Sequence, residues 1–334
     1  MAPQPPLEAE KRRGVDRPFV DGRKVAMADE SAKSSGMTVA DRIRQIAAEM
    51  TPAEQKITRI LFASAMVAGL DTVASLAERA NVSGPSVIRL TSKLGFESYV
   101  DFQRVLRLEM EERSNSPLSL YSRSRNAPKE DLLAKSRDVF AAAMHKSFDR
   151  ISPAEYNGVI DTLCDLKRTI FLAGGRFTQL IAQMVYLHLF QMRPGVRMIQ
   201  AGLQTRDDQL LELNAKSVLM IFDFRRYQSD SVSFARAAHE RGARILLVTD
   251  PWESPIAEFA DHVLVAEVTS PSPYDSMVPA FALAEALIAE VMPRLGKNAV
   301  NRIEDLEDLR TGFEWSEESS RRKRGHEKPK KPRK

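Results

Sequence analysis

The sequence predicts a two-domain chain: an all-α domain built around a helix-turn-helix, then an α/β domain with a doubly wound, five-stranded parallel sheet. Three observations predict it. Residues 71–96, DTVASLAERANVSGPSVIRLTSKLGF, hold two short helical repeats on either side of a tight turn. From residue 169 onward, five short apolar runs alternate with helical segments, and strands apolar along their whole length belong to sheets covered on both faces. Between the two halves, 114–128 is rich in Ser, Arg, Asn and Pro, the composition of a linker.

In the first stretch Asp71 is placed to cap a helix, because its carboxylate can accept from free first-turn N–H groups. Val73, Leu76, Ala77 and Ala80 then recur at helical spacing. Asn81 breaks the pattern and Val82 supplies an apolar plug at the crossing. Ser83 caps the second helix, with Pro85 in the first turn, where a missing N–H costs little. Val87, Leu90 or Thr91, and Leu94 turn inward, and Gly95 ends the helix as a left-handed cap. Ser83, Gly84, Pro85, Ser86, Arg89 and Lys93 are left as the outward, DNA-facing set. Small polar residues lead and cations follow, which suits a helix entering the major groove by its N-terminal end. The bland alternative, a solvated helical hairpin, would carry more Glu and Lys on that face.

Flanking segments complete a five-helix module over 37–113. Residues 38–48 carry a helical repeat, and Thr51, Pro52 and Glu54 form a capping box with proline at the first helical position. Residues 98–114 read as the last helix, with Val100, Phe102, Val105, Leu106 and Met110 mostly inward. The module is electrically balanced, ten basic against ten acidic residues. DNA binding therefore requires its cations to be sorted, with Arg42, Arg44, Arg89, Lys93, Arg104 and Arg107 on one side.

Charge is concentrated at the end of the chain. Residues 321–334 hold nine Lys or Arg and one Glu, and 313–334 reads as a basic, disordered tail. The first 36 residues also lack any period and read as disordered. A lone cysteine, Cys164, excludes an intramolecular disulfide and a cysteine metal cluster. No cofactor or metal is implied. With no apolar run of bilayer length and no signal peptide, the expected location is the cytoplasm.

The second domain is read over 129–312. After a helix at 129–150 and another capped by Ser152, Pro153 and Glu155, strands are expected at 169–174, 196–200, 217–224, 244–250 and 262–268. Such sheets bind ligands at the carboxyl ends of their strands. The loops there are GGRFT (174–178), DFRRYQSD (223–230) and TDPWES (249–254). The first two open helices, whose N-termini favour anions, and the second adds two guanidiniums. Gly174, Arg176, Thr178, Arg225, Arg226 and Tyr227 are the candidate ligand-binding residues, for a small anionic metabolite.

VASLAERANVSGPSVIRLTSKLGFESYVDFQ, followed by ERGARILLVTD and SPIAEFADHVL, resembles the RpiR family of bacterial transcriptional regulators, whose second domain is a SIS (sugar isomerase) fold. The resemblance covers about 37–296. It implies a DNA-binding regulator of metabolic genes, working as a homodimer or homotetramer on a double-stranded operator and sensing a sugar phosphate. The family's first loop, G-x-G-x-S, stands here with Gly174 kept, Arg176 at the second glycine and Thr178 at the serine. Its serine-rich second loop is replaced by FDFRRYQ. An arginine fork can still hold an oxyanion bidentately, so another acid is an equal candidate for the effector. A ligand at these loops is expected to shift subunit packing through the linker and the 129–150 helix. Two alternatives stand beside this reading: a SIS domain used only for oligomerisation, and a sugar-phosphate isomerase. The isomerase needs a general base, and His188, His239 and His262 all fall away from the loop ends.

Overall fold

The computed structural model describes residues 37–114, 116–118, 121, 131–200 and 207–325, with side chains as far as Thr311. The expected disordered N-terminus, most of the linker and residues 326–334 lie outside the described residues.

The first domain contains α1 (Val39–Gln45), α2 (Pro52–Ala63), α3 (Val73–Arg79), α4 (Gly84–Lys93) and α5 (Tyr99–Ser114). The capping box at Thr51 forms as the sequence predicts, with Glu54 N donating to the Thr51 hydroxyl and Thr51 N to the Glu54 carboxylate. A second box that the sequence analysis did not identify joins Thr38 and Asp41 at the start of α1. α1 is shorter than the 38–48 repeat suggested, and a single 3-10 turn, Ala47–Glu49, follows it. Ile57, Leu61, Leu76, Val87, Leu90, Phe102 and Leu106 meet in one apolar core, each contributing roughly 1.5–3 kcal/mol by leaving water.

The second domain begins with α6 (Leu132–Arg150) and α7 (Pro153–Cys164). β1 (Thr169–Gly174), α8 (Gln179–Met192), β2 (Val196–Met198), β3 (Ser217–Asp223), α9 (Ser229–Glu240), β4 (Arg244–Thr249), β5 (His262–Val265) and α10 (Val278–Leu295) follow. The sheet is parallel throughout, in the order β2-β1-β3-β4-β5. All five expected strands are present, several of them one to three residues shorter. After β2 a helical turn at 207–209 runs into the 3-10 turn Leu210–Glu212, and after β4 the 3-10 turn Pro255–Glu258 stands where a short helix is expected.

Alternate strand residues feed two cores. Ile170, Leu172, Val218, Met220 and Phe222 face α7, α8 and α10, while Phe171, Ala173, Leu219 and Ile221 face α9. Since β2 and β3 flank β1 on opposite sides, the sheet changes direction between β1 and β3, and their carboxyl ends frame the crevice where such folds take ligands.

Two expectations need correction. Glu155 does not close a capping box at Ser152; its carboxylate reaches β5 and accepts from Val263 N at 3.0 Å, with His262 Nδ1 3.1 Å away. Nor does the folded chain end at 312, since the backbone of α11 (Lys297–Gly325) stays helical well into the expected tail. Among the described residues no helix is long and apolar enough to cross a membrane.

Candidate DNA-binding and effector sites

α3 and α4 form the helix-turn-helix. Thr72, not Asp71, caps α3, its hydroxyl accepting from Ser75 N at 3.2 Å. Asp71 pairs instead with Arg79 at 2.8 Å. Asn81 takes the left-handed conformation, φ 51°, that turns the chain into α4. At the far end Gly95, φ 84°, is the left-handed cap anticipated from the sequence, and Phe96 N closes back on Thr91 O.

The outward set divides. Ser83, Pro85 and Arg89 are exposed. Ser86 is not outward: it is buried at 6% exposure, tucked beside Val87 and Leu90. Its hydroxyl lies 2.9 Å from the Ser83 hydroxyl and accepts from Arg89 Nη2 at 3.0 Å. Ser83 and Ser86 thus hold the Arg89 side chain along the leading turn. Lys93 is turned back into the domain, donating to Glu49 O at 2.6 Å and pairing with Glu54 at 3.4 Å. Gly84 is partly buried, where a Cβ would rest 3.6 Å from Val73. Ile88, 43% exposed, shares the open face; its step off the apolar stripe was visible in the sequence but was not singled out.

Nor do the expected cations share one side. Arg42 donates to Leu94 O at 3.1 Å and lies 4.6 Å over the Phe96 ring. Arg44 makes a two-pronged pair with Glu253 at 2.5 Å. Arg104 pairs with Asp101, and Arg107 remains exposed.

At the end of β1, Gly174 is required by close approach. A Cβ there would stand 2.6 Å from Gln179 N and from the Thr178 carbonyl carbon. Gly174 N donates to Gln179 Oε1 and Gly175 N to the Thr178 hydroxyl. That hydroxyl donates in turn to Phe222 O at 2.7 Å. The two glycine N–H groups and the buried Thr178 hydroxyl, expected to cradle an anion, are engaged with one another and with β3. Arg176 is exposed, its guanidinium 5.5 Å from the Phe177 ring.

Beyond β3, Arg225 has only 9% of its side chain exposed. One terminal nitrogen pairs with Asp275 at 3.2 Å, the other donates to Glu112 O at 3.2 Å, and the guanidinium lies 4.5 Å from the Trp252 ring. Its Nε is buried with no partner among the described residues. Arg226 is exposed with φ 71°. The Tyr227 hydroxyl donates to Asp250 at 2.7 Å, and burial pushes that phenol well above its ordinary pKa. Asp250, fully buried, also accepts from the backbone N–H groups of Arg225 and Trp252. Burial outweighs these bonds and raises its pKa from 3.8 to about 6.

The loop after β4 is where the two domains meet, an arrangement with no signal in the sequence. The Thr38 hydroxyl donates to Pro251 O at 2.9 Å. Asp41 pairs with Arg150 at 2.9 Å, and Arg150 with Glu267 at 2.7 Å. Glu253, 1% exposed and with φ 56°, receives Arg44. Glu112 O and the Arg113 guanidinium, 5.6 Å over the Tyr227 ring, bring the end of α5 onto the 223–230 loop. The DNA-binding domain is therefore seated on the carboxyl-end loops of the sheet.

Within that seat Glu109 accepts from Val39 N at 2.8 Å, and burial raises its pKa from 4.5 to about 7. The folded chain thus binds this proton more tightly than the unfolded chain between those two values. The contribution is full below about pH 4.5 and is lost as pH rises through about 7. Glu109→Gln is expected to flatten the fall in stability across that window in urea titrations at stepped pH; an unaltered slope would contradict it.

Elsewhere, no group of three or more metal-ligating side chains occurs among the described residues. His188 Nδ1 meets Met184 O within α8, His262 lies beside Glu155, and the His239 ring packs 5.4 Å from Phe259, so none stands at the strand-end loops.

Residues 37–113 match the helix-turn-helix domain of the rpiR family and residues 165–290 match the SIS domain. An uncharacterized HTH-type transcriptional regulator in the aarA 3'region of Providencia stuartii is 23% identical over 211 residues, 63% of this chain and 74% of that protein. An uncharacterized HTH-type transcriptional regulator of Haemophilus influenzae is 22% identical over 240 residues, 68% of this chain and 79% of its own length. Among solved structures, the sugar isomerase domain of an RpiR transcription factor from Sphaerobacter thermophilus superposes with a TM-score of 0.51 at 22% identity. It covers 54% of this chain and 99% of that one, a likeness of fold.

Proposed function

We propose that this chain, which belongs to the rpiR family of helix-turn-helix transcriptional regulators and carries a SIS domain, is a regulator of metabolic genes gated by a small anionic metabolite at its strand-end loops. It acts as a homodimer or homotetramer in the cytoplasm. The open edge of α4, with Pro85, Ile88 and Arg89, reads the operator. Arg89 suits a guanine edge and Ile88 a thymine methyl, while Ser83 and Ser86 set the guanidinium's direction.

The observation that carries the gating is the seat of the DNA-binding domain on the loops after β3 and β4. An acid arriving there meets Arg225, whose fork is held by Asp275 and by the Glu112 carbonyl. A carboxylate or phosphate that displaces the Glu112 carbonyl changes a contact made by the DNA-binding domain itself. Exposed Arg176 and Arg226 add long-range attraction. One observation favours the second reading, a SIS domain used only to oligomerise: the Gly174, Gly175 and Thr178 donors are already satisfied internally.

The test starts from the double-stranded oligonucleotide that wild-type protein selects from a random pool. Arg89→Ala is expected to weaken binding to it about 5- to 150-fold, the loss of one good base contact. Lys93→Ala, which removes a cation bound inside the domain, is expected to have a smaller effect. Equal affinity of wild type and Arg89→Ala, with unchanged circular dichroism, would overturn the operator reading. Sugar phosphates and dicarboxylic acids screened by thermal shift should include at least one that stabilises wild type but not Arg225→Ala; none doing so favours oligomerisation alone.

A further inference from the structure

We propose that α1 is the relay between the effector loops and the recognition helix, both ends of it fastened to the loop after β4 and its middle to the cap of α4. The inference rests on the regulatory reading above and adds the route by which that site would act. Asp250 gathers the first part of the route. It accepts from Arg225 N, the Tyr227 hydroxyl and Trp252 N, so a shift in the 223–230 loop is felt at the base of the 250–253 loop.

From there the path enters α1. Pro251 O holds the hydroxyl of its cap, Thr38, and Glu253 holds Arg44 in its last turn. Arg150, itself fixed by Glu267, holds Asp41 between them. A helix of seven residues thus has ties to the second domain at its cap, first turn and last turn. Two further polar contacts run the other way: Val39 N to Glu109 on α5, and Arg42 to Leu94 O, the residue that caps α4. Arg42 also covers Phe96 beyond that cap. α1 cannot slide or turn on the sheet loops without moving the end of the recognition helix.

Glu253 is the joint most specific to this task. It is a non-glycine residue in the left-handed region, φ 56°, and is buried at 1% exposure. A conformation of that kind persists only where the surroundings over-determine it, and here a two-pronged arginine from the other domain does so. The docked arrangement leaves Arg89 and Ile88 open, so it is the DNA-competent state, and loosening the relay should weaken operator binding.

The expected result of Glu253→Gln is about a tenfold loss of affinity for the selected oligonucleotide, with oligomeric state by sedimentation unchanged. Amide exchange should accelerate about tenfold in α1 and over residues 94–96 while the β3 amides keep their protection. Arg44→Ala should reproduce both effects, Arg44→Lys should restore part of the affinity, and the double variant should be no weaker than either single one. Should Glu253→Gln fail to fold, the Arg44 pair of variants carries the same comparison. Unchanged affinity together with unchanged exchange at 94–96 would overturn the relay. Additive losses in the double variant would also overturn it. If Arg89→Ala still weakens binding in that event, the operator reading survives and only the route is lost.

Discussion

Replacing Arg193 by alanine is expected to lower the unfolding free energy by about 3–5 kcal/mol, the scale of breaking a buried polar network. Arg193 has no exposed surface, yet among the described residues no acidic side chain is hydrogen-bonded to its guanidinium. Its nitrogens donate to the carbonyls of Leu163, Asp165, Arg168 and Pro194, of which the Asp165 and Pro194 contacts measure 3.1 and 3.2 Å. The first three lie at the end of α7 and in the turn into β1, where the helix dipole presents its negative pole, and Pro194 O lies in the turn from α8 to β2. Burial draws the guanidinium's pKa down, against the nearby Cys164 and Asp165. Alanine would leave several buried acceptors without donors, each costing about 1–3 kcal/mol before any water enters. Arg193→Lys should recover part of the loss, since one ammonium cannot reach all four positions. Urea denaturation against Arg197→Ala, which breaks a surface pair with Glu212 worth about 0–1 kcal/mol and an outer contact 5.8 Å over the Phe171 ring, supplies the scale. A loss no larger than that control would show the cluster to be dispensable.

Gly174→Ala is expected to come next, at about 2–4 kcal/mol, toward the upper end of overpacking costs. The added methyl would meet backbone atoms of Thr178 and Gln179 at 2.6–2.7 Å, not the end of a movable side chain. To make room, the entry of α8 must withdraw from β1. That withdrawal loosens the Gly175–Thr178 and Thr178–Phe222 bonds that join the first loop to β3. Gly175→Ala, whose methyl would find nothing nearer than 3.4 Å, is the contrasting case, with an expected cost below about 1 kcal/mol. Equal thermal stability of the two variants would remove the close-approach argument.

Much of the fold could be read from local chemistry. The Thr51 box, the left-handed Gly95 and the uninterrupted burial of β3 each follow from a few adjacent residues. The choice between Asp71 and Thr72 as cap could not be settled that way, because both side chains suit the role and Arg79 claimed the aspartate. Ser86 was misread because helical periodicity weighs apolarity alone. Its hydroxyl is satisfied by Ser83 and Arg89, so a polar atom sits on the buried stripe. Arg42, Arg44 and Lys93 illustrate the larger limit. A count of cations carries no record of partners dozens to hundreds of positions away, and Leu94 O, Glu253 and Glu49 O took all three. The candidate effector loops were located by strand order, but what covers them depends on how the two domains dock.

The ties between the domains include ion pairs, single hydrogen bonds and the Arg113 guanidinium over the Tyr227 ring, beside the packing of α2 on the Pro255–Glu258 turn. Added salt, by screening charge, should loosen the ionic share of that docking. The ionic strength of the surroundings becomes a second input to the same hinge.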